Sequence, residues 1–245
     1  MIPKTINYCW FGDGELSSLN RKCIKSWKDK CPDYKIIEWN ETNYDISKTP
    51  QFVQDAYKKH EWSFVSDYAR LDIIYNNGGI YLDTDVEVLK SLNVLLKNSN
   101  GYMGFESEEF VNSGLGFASE KGNKIIAQMM QFYRNISFDE KSKINYTCPV
   151  INTKVLKENG LLLNNKLQVI NGIKILPTEY LCPKNIYTGK TKITSKTVSI
   201  HYYNASWLSS GRKAKFKFII IVKKILPKKI VSRIRLYVRN KRNEK

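Results

Sequence analysis

The stretch SFVSDYARLDIIYNNGGIYLDTDVEVL, Ser63 to Leu89, reads as an amphipathic helix, a Gly-Gly stop, a short apolar strand and a pair of acids where that strand ends. Phe64, Tyr68, Leu71 and Tyr75 recur at the spacing of one face of a helix. Ser63 is placed to cap its start and Gly78-Gly79 to end it, because glycine takes the left-handed conformation without penalty. Ile80-Tyr81-Leu82 suits a buried strand, and Asp83-Thr84-Asp85 follows at once. In extended chain, residues i and i+2 point the same way, so both carboxylates are expected on one side and Thr84 on the other.

Two carboxylates at a strand end suit a hard divalent cation, which prefers oxygen ligands and shares its shell with phosphates. The carboxyl ends of strands are also where ligands sit in an open α/β sheet. A solvated acidic turn is the competing account of an isolated Asp-X-Asp. Asp67 and Arg70, three apart, are neighbours on the helix before it, and a surface ion pair would explain them equally.

Taken together, Ser66-Asp67-Tyr68-Ala69-Arg70, Tyr75 and Gly78-Gly79-Ile80-Tyr81-Leu82-Asp83-Thr84-Asp85 resemble the core of the DXD-containing sugar transferases. That family includes bacterial capsule and lipopolysaccharide transferases and the fungal initiating α-1,6-mannosyltransferase, with the glucosyltransferase domains of clostridial toxins as distant relatives. The resemblance extends to the N-terminal run, where Asn7 stands at a position at which histidine is usual. It implies a GT-A-like, Rossmann-type mixed sheet flanked by helices.

With 245 residues, the chain can form one α/β domain with a sizeable core, with or without an appendage. Its five cysteines, at 9, 23, 31, 148 and 182, form no C-x-x-C pair and no metal-ligand spacing, which suits reduced thiols in the cytoplasm. The N-terminus shows neither a basic n-region nor an apolar h-region, so no secretory signal is read there. The formal net charge of +17 is uneven, because Arg212 to Lys245 holds fourteen Lys/Arg against the single acid Glu244. That break divides the chain into a catalytic domain, 1–211, and a basic tail, 212–245.

From the start, Thr5 to Phe11 predicts a first strand, ended by Gly12-Asp13-Gly14. Ser17 or Ser18 caps a helix to about Lys30 with Leu19, Cys23, Ile24 and Trp27 inward. Tyr34 to Trp39 predicts a strand and Pro50 to His60 a short helix. By itself, this alternation predicts a parallel-sheet α/β domain. Gly101–Glu106 and Val111–Ser119 are expected as strands and Asn123–Asn135 as a helix. The Gly-interrupted run from Asn112 to Phe117 marks either a bulge or a place where backbone passes close to a ligand.

Val198 and Ile200 alternate in a strand that delivers His201, with Tyr202, Tyr203, Asn204, Ser206 and Trp207 beyond. His60 and His201 are the two histidines, so His201 can at most complete a carboxylate site. In the tail, Phe218–Val222 is far short of the roughly 20 apolar residues that span a bilayer. After Pro227, Ile230, Val231, Ile234 and Val238 form a stripe among basic residues, the pattern of an amphipathic helix lying on an anionic membrane. Nucleic acid is the rival partner for such charge, but phosphate backbone does not require an apolar stripe, so no nucleic acid is expected.

The resemblance implies a metal-dependent transferase, retaining the anomeric configuration, that moves a hexose from a nucleotide-diphosphate sugar to a saccharide acceptor in cell-surface polysaccharide synthesis. It implies Asp67, Arg70, Asp83 and Asp85 as catalytic. Trp10, Asp67, Arg70, Tyr81, Asp83, Ser206 and Trp207 would bind the donor, with Trp10 stacking on the base and UDP-sugar favoured. Asp85, Asp83 and His201 would hold Mn²⁺ or Mg²⁺. The acceptor is expected to be lipid-linked and the enzyme peripheral on the cytoplasmic face of the membrane. One alternative is a phosphohydrolase of the haloacid dehalogenase type, although that family has Thr or Val where Glu87 stands. The other is a non-enzymatic membrane- or nucleic-acid-binding module.

Overall fold

The structure, a computed structural model, describes residues 1–139, 143–185 and 189–204. In chain order its strands are β1 (Thr5–Cys9), β2 (Lys35–Trp39), β3 (Gly79–Tyr81), β4 (Val86–Val88), β5 (Gly101–Phe105), β6 (Val111–Asn112), β7 (Phe117–Ser119), β8 (Gln168–Ile170), β9 (Ile173–Leu176) and β10 (Ser199–His201). The α-helices are α1 (Ser18–Lys30), α2 (Gln51–Lys58), α3 (Trp62–Asn77), α4 (Asn93–Leu96), α5 (Lys124–Arg134), α6 (Cys148–Glu158) and α7 (Thr178–Leu181).

Eight strands form one sheet in the order β2-β1-β3-β7-β5-β9-β8, with β6 also on β5; β10 and β4 form a separate antiparallel pair. The strands β2, β1, β3, β5 and β9 share one direction, while β7, β6 and β8 run against it. The sheet is therefore mixed, as the family resemblance implies, and not the parallel sheet that alternation alone predicts. The antiparallel strands were hidden by their brevity. Val111–Ser119, expected as one strand, is β6, a 3₁₀ turn at Ser113–Leu115, and β7.

One core fills the space between α2, α3, α5 and α6 and one sheet face, to which Cys9, Tyr81, Met103, Phe105, Phe117, Ile173 and Ile175 point. On the other face Tyr8 meets Trp27 of α1 edge-on at 5.6 Å. Asn7 is buried in β1, donating to the Ile80 carbonyl at 3.1 Å and accepting from Trp39 Nε1 at 2.9 Å. It thereby ties β1 to its neighbour on each side.

The helix α3 departs from the expected amphipathic pattern. Besides Phe64, Tyr68 and Leu71, it buries Val65, Asp67, Ala69, Arg70, Ile73 and Ile74, so protein surrounds most of its girth. It starts at Trp62 with Glu61 as N-cap and no side-chain cap bond, so Ser63 lies inside it. Gly78 ends it at φ +70°, as expected of a glycine stop.

Two compact units are distinguished, one of Met1–Pro183 with Lys192–Tyr202 and one of Lys184–Thr191 with Tyr203–Lys245. Within the second, Lys184 and Thr191 form an antiparallel bridge. Ser206, Trp207 and the basic tail lie outside the described residues.

Candidate active site at the carboxyl edge of the sheet

The helix α1 and strand β10 fix the acidic segment from opposite ends. Ser17 and Asn20 form a capping box at the start of α1, Asn20 N donating to Ser17 Oγ and Ser17 N to Asn20 Oδ1, each at 3.2 Å. The remaining amide of Asn20 donates to Thr84 Oγ1 at 2.8 Å. Between the acids the chain is not extended. Val86 N donates to the Asp83 carbonyl at 3.0 Å, closing a turn over Asp83–Val86. The expected arrangement is nonetheless reached, with Thr84 held by α1 and both carboxylates near His201, but a turn produces it.

After that turn β4 pairs with β10 in a register that sets His201 opposite Val86, and Tyr202 N donates to the Asp85 carbonyl at 3.0 Å. His201 Nε2 is thus 3.1 Å from Asp85 Oδ1 and 3.9 Å from Asp83 Oδ2. Burial draws the His201 pKa down, but the facing carboxylates of Asp85 and Asp83 outweigh it and hold the imidazole above its ordinary value. One ligand atom from each of Asp83, Asp85 and His201 can be chosen so that all lie within 4.8 Å of one another. This mixed oxygen and imidazole set suits a divalent ion such as Mn²⁺.

Behind the turn lies a buried charge cluster. Arg70 Nη2 is 3.1 Å from Asp67 Oδ1 and 3.2 Å from Asp83 Oδ1, while Arg70 Nε donates to the Ser66 carbonyl at 2.9 Å. The guanidinium lies over the Tyr81 ring, 5.0 Å from its centroid, and Tyr81 donates its hydroxyl to Asp83 Oδ1 at 3.0 Å. Burial raises the pKa of Asp67 and of Asp83 against the opposing pull of Arg70. The guanidinium itself is held well above its usual range by Asp83, Tyr81 and Asp67, despite burial. The site holds three carboxylates, Asp67, Asp83 and Asp85, against the one guanidinium of Arg70, which contacts the first two. With His201 neutral, two negative charges remain, which a divalent cation would neutralise.

Several parts of this cluster were not read from the sequence. Cys148, first residue of α6, donates its backbone N–H to Asp67 Oδ2 at 3.0 Å and its thiol to Asn112 Oδ1 at 3.2 Å. Asn112 Oδ1 also accepts from Gly114 N at 2.6 Å. A methyl on Gly114 would come within 2.6 Å of Asp83 Oδ2 and 3.0 Å of Arg70 Nη1. The glycine run does therefore pass backbone beside the site. Thr147-Cys148-Pro149 carries a helix-start signal, proline in the first turn, but nothing local says which carboxylate that helix meets.

Trp10 follows β1 at the same edge, its N–H bonded to the Trp39 carbonyl at 2.9 Å. Its indole N–H is donated to the Gly14 carbonyl, so the ring face is what it offers a ligand. Tyr81 and Arg70, expected to bind the donor, are 1% and 3% exposed and touch Asp83 directly.

Residues 17–102 match the family described as glycosyltransferase sugar-binding region containing DXD motif. The chain is 27% identical over 145 residues to inositol phosphoceramide mannosyltransferase 3 of Schizosaccharomyces pombe, covering 56% of this chain and 39% of that protein. It therefore spans well under half the length of that relative. It is 24% identical over 200 residues to the uncharacterized glycosyltransferase L373 of Acanthamoeba polyphaga mimivirus, covering 78% of this chain and 76% of that one. Among solved structures it resembles the PaToxG glycosyltransferase in fold, with a TM-score of 0.51 and 18% identity over 64% of this chain and 69% of that chain.

Proposed function

We propose that this chain, a member of the DXD glycosyltransferase family, moves a hexose from a nucleotide-diphosphate sugar, with UDP-sugar favoured, to a saccharide acceptor in cell-surface polysaccharide synthesis. The observation that carries this reading is the convergence of Asp83, Asp85 and His201 at the carboxyl edge of the sheet. Departure of a nucleoside diphosphate builds negative charge on oxygen, and a Mn²⁺ or Mg²⁺ ion held by these residues would supply Lewis-acid stabilisation of that charge.

The protein's own groups do the positioning. Arg70 and Tyr81 fix one carboxylate oxygen of Asp83, leaving the other directed toward His201. Asp67, anchored by the Cys148 N–H, and Arg70 form the polar wall proposed to meet sugar hydroxyls. Trp10 is assigned the nucleobase, and Ser206 and Trp207 the diphosphate. Retention of anomeric configuration follows the family resemblance. The basic pattern of Arg212–Lys245 supports an acceptor that is lipid-linked and a site of action at the cytoplasmic face of a membrane.

A screen of UDP- and GDP-sugars with Mn²⁺ or Mg²⁺, reading released nucleotide, tests the proposal. Turnover is expected with one donor, is abolished by EDTA, and collapses in Asp85→Asn while the melting temperature holds. Full activity in EDTA would remove the metal from the reading. Hydrolysis of simple phosphate esters without donor hydrolysis would favour a phosphohydrolase instead.

A further inference from the structure

Large apolar side chains left in solvent are concentrated in one place. Seven are exposed among the described residues, and four of them, Leu162, Leu163, Leu167 and Val169, fall between 162 and 169. Isolated exposed leucines carry no message, but a contiguous set does.

The segment is built with its polarity inverted. Gln168 accepts from Leu162 N at 2.9 Å and donates to the Leu162 carbonyl at 2.8 Å and to Asn164 Oδ1 at 3.0 Å, closing the loop on itself. Asn165 exchanges two hydrogen bonds with Thr178, at 2.8 and 3.1 Å, pinning the loop to α7. Asn164 Oδ1 also accepts from Lys166 N at 3.0 Å. The side chains of Asn164, Asn165 and Gln168 are thus spent on the loop's own backbone and anchor, and the leucines are held outward.

The loop also sits on the functional edge. The register Gln168↔Ile175 and Ile170↔Ile173 places the start of β8 at the carboxyl end of β9. Strand β9 runs with β5, and β5 runs with β3 through the antiparallel β7. The leucine loop therefore projects from the edge of the sheet at which β3 delivers Asp83. Leu163 also lines a groove of about 530 Å³ together with Phe110, Val150, Lys154 and Lys157, with Glu109 and Glu158 on its walls as well.

We propose that the loop 162–169 is a bilayer-docking element that inserts Leu162, Leu163 and Leu167 into the interfacial region of an anionic membrane. Exposed Lys154, Lys157 and Lys166 lie on the same and adjoining segments, where they would meet the anionic headgroups beside the inserted leucines. The inserted side chains then hold the body with its donor edge toward the lipid. The anchor belongs to the catalytic body and is separate from the basic tail. Its assignment does not depend on the donor chemistry.

The full-length chain is mixed with vesicles of phosphatidylcholine containing about 30% phosphatidylglycerol, at low salt and at about 0.5 M NaCl, where purely electrostatic attachment is screened. Wild type should retain a salt-resistant bound fraction. The variant Leu162→Ser/Leu163→Ser/Leu167→Ser should lose at least about tenfold of it, with melting temperature and donor hydrolysis unchanged. All five native cysteines are buried, so an environment-sensitive dye on Leu163→Cys reports insertion directly. Its emission should shift to the blue on vesicles, and the same dye on Lys30→Cys should not respond. Salt-resistant binding kept by the triple serine variant, or a silent dye at residue 163, overturns the proposal. So does a wild-type dimer that the triple variant converts to monomer without any vesicle binding, which would assign the loop to a second copy.

Discussion

Arg70 of α3 holds Asp83 of the DXD turn, Nη2 to Oδ1 at 3.2 Å, across twelve intervening positions and a Gly-Gly reversal. The same nitrogen is 3.1 Å from Asp67, so one buried guanidinium serves two carboxylates. This explains why α3 departs from the pattern of a surface helix, since it must carry its polar side chains inside the protein. The link also makes Arg70 a positioning residue for the turn proposed to hold the metal, beyond the sugar contact that the family resemblance implies.

Arg70→Ala leaves the buried Asp67 and the half-buried Asp83 facing each other without a cation, a loss of about 3–5 kcal/mol. Its melting temperature should fall clearly. Arg70→Lys keeps the charge but not the fork that reaches Ser66 and both acids, so it should remain folded and lose turnover by at least about tenfold. Thermal melts beside donor hydrolysis check both. An Arg70→Ala protein as stable as wild type would show that the cluster is not a structural link.

A pH dependence follows from His201, whose pKa the Asp85 and Asp83 carboxylates hold above the ordinary value against burial. Only neutral imidazole ligates a metal, so protons compete with the ion up to that raised value. Mn²⁺ affinity should fall by about tenfold per pH unit on acidification below it. In the metal-free chain the sign reverses. The His201–Asp85 pair stabilises the fold fully below the unfolded imidazole pKa and is lost as pH rises through the raised folded one. Calorimetric Mn²⁺ titration and metal-free melts across pH 5 to 8 should therefore slope in opposite directions, and His201→Asn should flatten both. Parallel slopes would show that His201 is not a ligand.

Gly114→Ala tests how closely the backbone is packed against the charge cluster. The added methyl would fall 2.6 Å from Asp83 Oδ2 and 3.0 Å from both Arg70 Nη1 and Asn112 Oδ1. Relief requires moving the Asp83–Arg70 contact itself. Overpacking of this kind destabilises by about 1–3 kcal/mol, and turnover should fall further than stability accounts for. Gly122→Ala, where a methyl would meet nothing within 4 Å but φ is +74°, serves as a control that strains backbone without touching the site. Equal losses of turnover in the two would refute a local effect.

The helix, the glycine stop, the strand and the two acids of Ser63–Leu89 could be read from the chain because each is a local pattern. The expected resemblance to DXD glycosyltransferases is borne out, the family match over residues 17–102 containing that stretch. The mixed α/β sheet flanked by helices is borne out as well. What escaped was non-local. Nothing near Asp67 announces that its partner is a backbone N–H eighty-one residues away at Cys148. Nothing near Asn20 indicates that it reaches Thr84, sixty-four residues on. Strands of two or three residues, such as β6 and β7, are too short for alternation to register, so their antiparallel direction had no signal in the sequence.

The division of labour between base and sugar can be separated with two substitutions. Trp10 has its indole N–H occupied by the Gly14 carbonyl, so its contribution to a nucleotide is a ring face. Base–aromatic stacking contributes roughly 1–3 kcal/mol, and Trp10→Ala should weaken free UDP binding by roughly 5- to 150-fold. Asp67→Asn keeps an oxygen for the Cys148 N–H but removes the charge facing Arg70. It should leave free UDP affinity within about twofold of wild type, because no contact to base or ribose is assigned to it. Turnover should fall by roughly 10- to 150-fold, the worth of a charged hydrogen bond. Isothermal titration with UDP, run beside donor hydrolysis, separates the two effects. An Asp67→Asn protein that lost UDP affinity as severely as Trp10→Ala would place Asp67 on the nucleotide and overturn the division.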